Sequence, residues 1–138
     1  MSNRITALNG ESLQTVTYDR ETDQWIFKFG EYVLQIAAPW RLIARDVIYV
    51  GHGDDGHQFG LPKPVNAGDR VREIVQSRVV EEASASDRTA DLSIDFGEGI
   101  RLEVFNNSCG YEGWILNAPD GRRALVGMGG GNLHEWKI

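Results

Sequence analysis

The stretch DLSIDFGEGIRLEVF, residues 91–105, carries two runs of strict alternation about a glycine-flanked centre. Leu92, Ile94 and Phe96 fall on one side of an extended chain and Asp91, Ser93 and Asp95 on the other, because successive side chains of a strand point to opposite faces. Gly97-Glu98-Gly99 suits a tight turn, and the run from Ile100 to Phe105 alternates again. The stretch therefore reads as a β-hairpin with one buried and one wet face.

The same design appears earlier. Trp25, Phe27 and Phe29 alternate on one face, Gly30-Glu31 turns the chain, and Tyr32 to Ala37 returns as an apolar strand. A constant offset aligns residues 8–31 with 75–98, bringing Phe29-Gly30-Glu31 onto Phe96-Gly97-Glu98, Trp25 onto Leu92 and Phe27 onto Ile94. Larger offsets match Trp40 with Trp114, and Val50-Gly-His-Gly53 with Val126-Gly-Met-Gly129, as insertions in a duplicated unit would require. The expectation is a single domain over residues 1–138 with an internal pseudo-repeat, about 8–53 and 75–129. Strands are expected near 12–18, 25–30, 32–37 and 40–50, and again near 79–85, 91–96, 100–105 and 113–127, the last broken by a turn at Pro119-Asp-Gly121. Between the halves Asn66 can cap a helix over about 67–77, with Asp69 in its first turn and Val71, Ile74 and Val75 at helical spacing. The fold class is thus α+β, mostly antiparallel β: two similar four-strand meanders joined by a loop and one short helix.

A chain of 138 residues can bury roughly two thirds of its unfolded surface, enough for one core. Cys109 is the single cysteine, which excludes an internal disulfide framework, and MSNRITALNG lacks the basic and apolar regions of a secretory signal. A cytoplasmic protein is expected. The most apolar window, LQIAAPWRLIA, contains Gln35, Pro39 and Arg41 and falls short of the about 20 apolar residues of a membrane span. Fourteen Lys plus Arg against 20 Asp plus Glu gives a net charge of -6, which repels phosphate backbones and anionic lipid and favours a basic protein partner. Neither nucleic acid nor membrane is expected as a partner.

His52, Asp54, Asp55 and His57 form H-x-D-D-x-H, residue types that suit zinc, manganese or iron. The glycines at 51, 53 and 56 work against this, since a metal needs its ligands held in place and Asp-Asp-Gly is also what a plain turn looks like. The counterpart of His52 in the second half is Met128, which leaves residues 54–60 as a mobile acidic loop. Cys109 reads as a loop or small core residue unless His134 approaches to activate it. The glycine run 127–131 reads as a turn crowding a neighbouring sheet rather than a phosphate cradle, because no helix follows it. Trp40 and Trp114 read as core anchors, Trp136 as the least constrained tryptophan, and Arg41 and Glu112 as a candidate ion pair between the halves. Asp91, Asp95 and Glu103 share the wet face of the hairpin, and Glu81, Glu82 and Asp87 form a second acidic group.

Phe29-Gly30, Pro39-Trp40-Arg41-Leu42, Asp91-Leu92 with Phe96-Gly97, Tyr111-Glu112-Gly113-Trp114, and Gly129-Gly130-Gly131 near Trp136 stand in an order and spacing that resembles a family of small bacterial proteins known only as a domain of unknown function. At the level of class, the chain is similar to the immunity proteins of polymorphic toxin systems. The absent catalytic signature, the acidic charge and this resemblance together give the expectation of a non-enzymatic protein-binding module with no cofactor, facing a toxin or other basic protein through the 51–60 loop and the acidic sheet face, with Asp54, Asp55, His57, Asp91, Asp95 and Glu103 as candidate contacts. Two alternatives stand beside it: a metal-binding protein or metal-dependent hydrolase using His52, Asp54, Asp55 and His57, and a structural module that forms homodimers through a sheet edge.

Overall fold

The computed structural model describes residues 2–135, so Trp136 lies outside the described residues. Among the described residues, two six-stranded antiparallel sheets and one α-helix make up the fold. The first sheet runs β12 (Leu133–Glu135), β11 (Arg123–Gly127), β10 (Trp114–Asn117), β4 (Tyr32–Ile36), β3 (Gln24–Phe29), β2 (Leu13–Asp19). The second runs β1 (Ser2–Arg4), β7 (Glu82–Ser86), β8 (Leu92–Asp95), β9 (Arg101–Val104), β5 (Trp40–Ala44), β6 (Val47–Gly51).

The expected pair of four-strand meanders is met only in part. Strands β2, β3 and β4 form a three-strand meander in the first sheet, after which the chain crosses and lays β5 and β6 as a hairpin in the second. Strands β7, β8 and β9 form a meander in the second sheet, and β10 and β11 cross back to the first. Each sheet is therefore assembled from both halves, joined where β4 pairs with β10 and β9 with β5. The crossings are fixed by matching hydrogen bonds: the Ala37 amide donates to the Gly113 carbonyl (2.9 Å) and the Phe105 amide to the Pro39 carbonyl (2.8 Å). Alternation specifies that a strand has a buried face; it does not specify in which sheet that face is buried. The run expected as one strand over 40–50 is likewise two, because Arg45 and Asp46 both take positive φ and turn the chain tightly.

The inner faces meet in an aromatic seam. Trp40 of the second sheet packs edge-on against Trp25 and Phe27 of the first, with ring centroids 5.2 Å apart in both cases. Phe29 stacks on Phe96 at 6.3 Å, and Trp114 is sealed in with its indole N–H donating to the Ala90 carbonyl at 2.7 Å. Full burial of such a side chain stabilises the fold by about 1.5–3 kcal/mol each. Gly30 and Gly97 follow the two stacked phenylalanines in the left-handed region (φ +57 and +84), where an added Cβ would strike the Glu11 and Glu81 carboxylates.

The helix, α1 (Ala67–Val75), packs against the edge strands β2 and β6. Asn66 caps it as expected, accepting from the Asp69 amide at 2.9 Å. Val71 and Val75 are buried, and Gly68 lets the helix close onto the Val16 carbonyl of β2. The helix stops two residues short of the expected end because Gln76 is extended (ψ 142) and Ser77 is left-handed (φ +67).

Replacing Phe96 with Ala should cost about 3–5 kcal/mol in urea unfolding, whereas Phe105→Ala, on the outer side of the same hairpin, should cost less than about 0.5 kcal/mol. A larger loss from Phe105→Ala than from Phe96→Ala would mean that the hairpin faces the opposite way.

Candidate functional site

The four residues of H-x-D-D-x-H are turned to different tasks. A 3-10 turn spans His52–Asp54, and the Asp54 carboxylate accepts from the Gly51 amide at 2.9 Å, closing the exit of β6. Asp55 reaches the helix, where its Oδ1 accepts from the Ala67 amide at 2.9 Å and occupies one donor that a helix start leaves unsatisfied. His57 stacks on Phe59 (centroids 5.6 Å apart). His52 folds back over Trp40, its Nδ1 accepting from the Trp40 amide at 3.2 Å. Among the described residues no three His, Cys, Asp or Glu side chains gather to hold a metal ion. Residues 54–60, expected as a mobile acidic loop, are instead tied to the segment before α1 by Gly56 N–H to Val65 O (2.8 Å) and Val65 N–H to His57 O (2.7 Å).

The wet face of the hairpin becomes the outer face of the second sheet. Cross-strand register sets Ser93, Glu103 and Arg41 in one row, and Asp95, Arg101 and Ile43 in the next. Glu103 sits between two cations: Arg41 Nε lies 2.8 Å from its Oε1 and Arg101 Nε 3.2 Å from its Oε2. Asp95 accepts from the Gly97 amide at 2.7 Å and so secures the turn. In the second acidic group, Glu82 pairs with Arg4 at 3.4 Å. The face is accordingly a lattice of matched charges more than an acidic field, and exposed pairs of this kind contribute only about 0.2–1 kcal/mol each.

At one end of this face lies a depression of about 590 Å³, lined among others by Pro39, Arg41, His52, Asp91, Glu103 and Phe105. The structure brings Asp91, Glu103 and His52 together here, leaves Asp95 at the hairpin turn, and places Asp54, Asp55 and His57 outside the lining. The Asp91 Oδ1 accepts from the Asn106 amide at 2.9 Å, and among the described residues no cation pairs with this carboxylate. Phe105 is 62% exposed at the rim. Its signal was present in the sequence: it is the one apolar side chain on the polar side of the 91–105 alternation.

The first sheet has a depression in the corresponding place, of about 550 Å³, lined among others by Gln24, Gln35, Ala37, Tyr111 and Ile115. Gln35 pairs in register with Ile115 as Glu103 pairs with Arg41, and with Ile26 as Glu103 pairs with Ser93. Where one site has a carboxylate between arginines, the other has an amide chain, with Gln35 donating to Gln24 (3.2 Å) and accepting from Asn117 (2.9 Å). Beside it Tyr18 donates its hydroxyl to Asp23, a bond that holds the phenol above its usual pKa. The scaffold therefore accepts uncharged residues at the stations held by Glu103 and Arg41.

The remaining candidates resolve locally. Trp40 and Trp114 are core anchors, at 3% and 1% exposure. The expected Arg41–Glu112 pair does not form, since Arg41 is taken by Glu103 and Glu112 lies 3.3 Å from Arg123. Cys109 is exposed in the loop after β9, where Ser108 Oγ accepts from the Gly110 and Tyr111 amides. The glycine run closes against that loop: a Cβ on Gly129 would meet the backbone of Gly110. The β6 edge is blunted by an unpaired residue at Tyr49 and by Asp54 on the Gly51 amide, while Val47 and Ile48 stay exposed.

Asp55→Ala should lower stability by about 1 kcal/mol through loss of the helix-start bond, read in thermal or urea unfolding, and zinc or manganese should leave the melting temperature of the unmodified chain unchanged. A rise of several degrees with metal would show that the loop closes on an ion. No protein-family model, curated protein or solved structure matches the chain.

Proposed function

We propose that the chain is a non-enzymatic protein-binding module of the immunity-protein kind, which occludes a bacterial toxin through the outer face of β5, β8 and β9. The observation that carries this reading is the depression beside Phe105, whose ring is 62% exposed next to an arginine and a carboxylate in ion pair. Aromatic and arginine side chains in a concave, partly desolvated setting dominate protein interface energetics. The counterpart stations on the first sheet, Gln35 and Ile115, support the reading further, because this architecture folds there without charge. Matched charges on the face suit a partner that offers its own alternating charges, with the chain's net -6 adding long-range attraction for a basic one.

The test is calorimetric titration with the purified product of a toxin gene neighbouring this one, followed by amide hydrogen exchange on the complex. Binding at micromolar concentration or tighter is expected, with slowed exchange in residues 39–44 and 91–105. Phe105→Ala should weaken the complex about tenfold or more, a loss of about 1.4 kcal/mol or greater. Absence of binding removes the toxin as partner, and protection confined to the first sheet removes this face.

A further inference from the structure

We infer that the depression on the second sheet takes one cationic side chain, an arginine in the first instance, from a protein partner, with Asp91 as counter-ion and Phe105 as aromatic wall. The inference rests on the reading of the chain as a protein-binding module and names what its central pocket recognises.

Three observations select a cation. First, the two carboxylates in the lining are not equivalent. Glu103 is already neutralised, its Oε1 by Arg41 at 2.8 Å and its Oε2 by Arg101 at 3.2 Å. Asp91 has a single bond to the Asn106 amide, and no cation pairs with it among the described residues. A half-buried carboxylate with one donor keeps unused acceptor capacity, which a guanidinium can take up in a charge-assisted bond. Second, Phe105 lines the same depression and exposes most of its ring, and an aromatic face beside a carboxylate attracts a cation by its quadrupole. Third, positive charge in the lining is already paired: Arg41 Nε lies 2.8 Å from Glu103 Oε1, and His52 Nδ1 faces the Trp40 backbone. A volume of about 590 Å³ is within the range of ligand pockets, about 300–1,000 Å³, and holds a long side chain with bridging water. Pro39 offers the aliphatic stem an apolar wall. Arginine is favoured over lysine because its planar group can stack on Phe105 and bond Asp91 in the same pose.

The counterpart depression differs at the two stations that Asp91 and Phe105 hold. Gln24, the first residue of β3 and neighbour of Trp25, stands there as Asp91 stands beside Leu92, and Ala37 replaces Phe105. It lacks a carboxylate and a ring at these two stations; elsewhere in its lining Glu112 is paired with Arg123, Asp23 accepts from the Tyr18 hydroxyl, and Tyr111 is exposed.

The experiment uses the full chain and N-acetyl-arginine-N-methylamide as probe, titrated while amide shifts are followed by nuclear magnetic resonance, with the citrulline, lysine and glutamate analogues as further arms. Saturable shifts at Asp91, Phe105 and Asn106 are expected with arginine, weaker ones with lysine, and none with glutamate or the isosteric, uncharged citrulline. Asp91→Asn keeps an acceptor for the Asn106 amide while removing the charge, and Phe105→Ala removes the ring from an exposed position. Each should weaken arginine binding about fivefold or more without moving the melting temperature. Citrulline binding as well as arginine, shifts centred on Gln24 and Gln35, or no saturable shift would each overturn the inference. A toxin whose affinity is unaffected by Asp91→Asn also overturns it while leaving the binding-module reading intact. Arginine binding with no toxin bound supports the socket and overturns only the choice of partner.

Discussion

Trp40 reaches across from the second sheet to meet Trp25 and Phe27 of the first edge-on, and Phe29 stacks on Phe96 beside them. This contact is the constraint on which the rest of the molecule depends. Two six-stranded sheets leave two broad apolar faces that are stable only against each other, and large rings fill the gap between sheets at low cost in side-chain entropy. Four of the five rings, Trp25, Phe27, Phe29 and Trp40, come from the first half, and Phe96 comes from the second. The exchange of β5–β6 and β10–β11 between the sheets follows from the same demand, because each crossing strand brings a tryptophan, Trp40 or Trp114, into the interior.

Once the seam is fixed, the outer faces carry little structural duty and are free to differ. On the first sheet the station between β3, β4 and β10 is filled by hydrogen-bonded amides; on the second, by an ion-paired row and an exposed phenylalanine. At that station the second face carries charge where the first sheet folds without it. The H-x-D-D-x-H segment shows the opposite case. Its conspicuous composition serves the fold, Asp54 closing a strand exit and Asp55 starting a helix, because the backbone amides there need acceptors and aspartates supply them.

Much of the architecture was legible in the sequence. Alternation in 25–37 and 91–105 located four strands, the Asn66 cap located the helix, and Gly30, Gly97 and Gly121 located turns, since each of these depends on residues close in the chain. The short edge strand β1 gave no such signal. Of the candidate site, Asp91 and Glu103 were legible as one face of one hairpin, while His52 and Arg41 join them only because β5 is laid beside β9.

By itself, the sequence determined which side chains are buried, where the chain turns, and the net charge of -6, all set by local pattern and composition. Only the tertiary structure decided which sheet each strand enters, that Glu103 sits between two arginines while among the described residues no cation pairs with Asp91, and that Phe105 borders a pocket. The reason is that period-2 alternation fixes a strand's faces but not its neighbour. The partner of a carboxylate on a sheet is a property of the neighbouring strand.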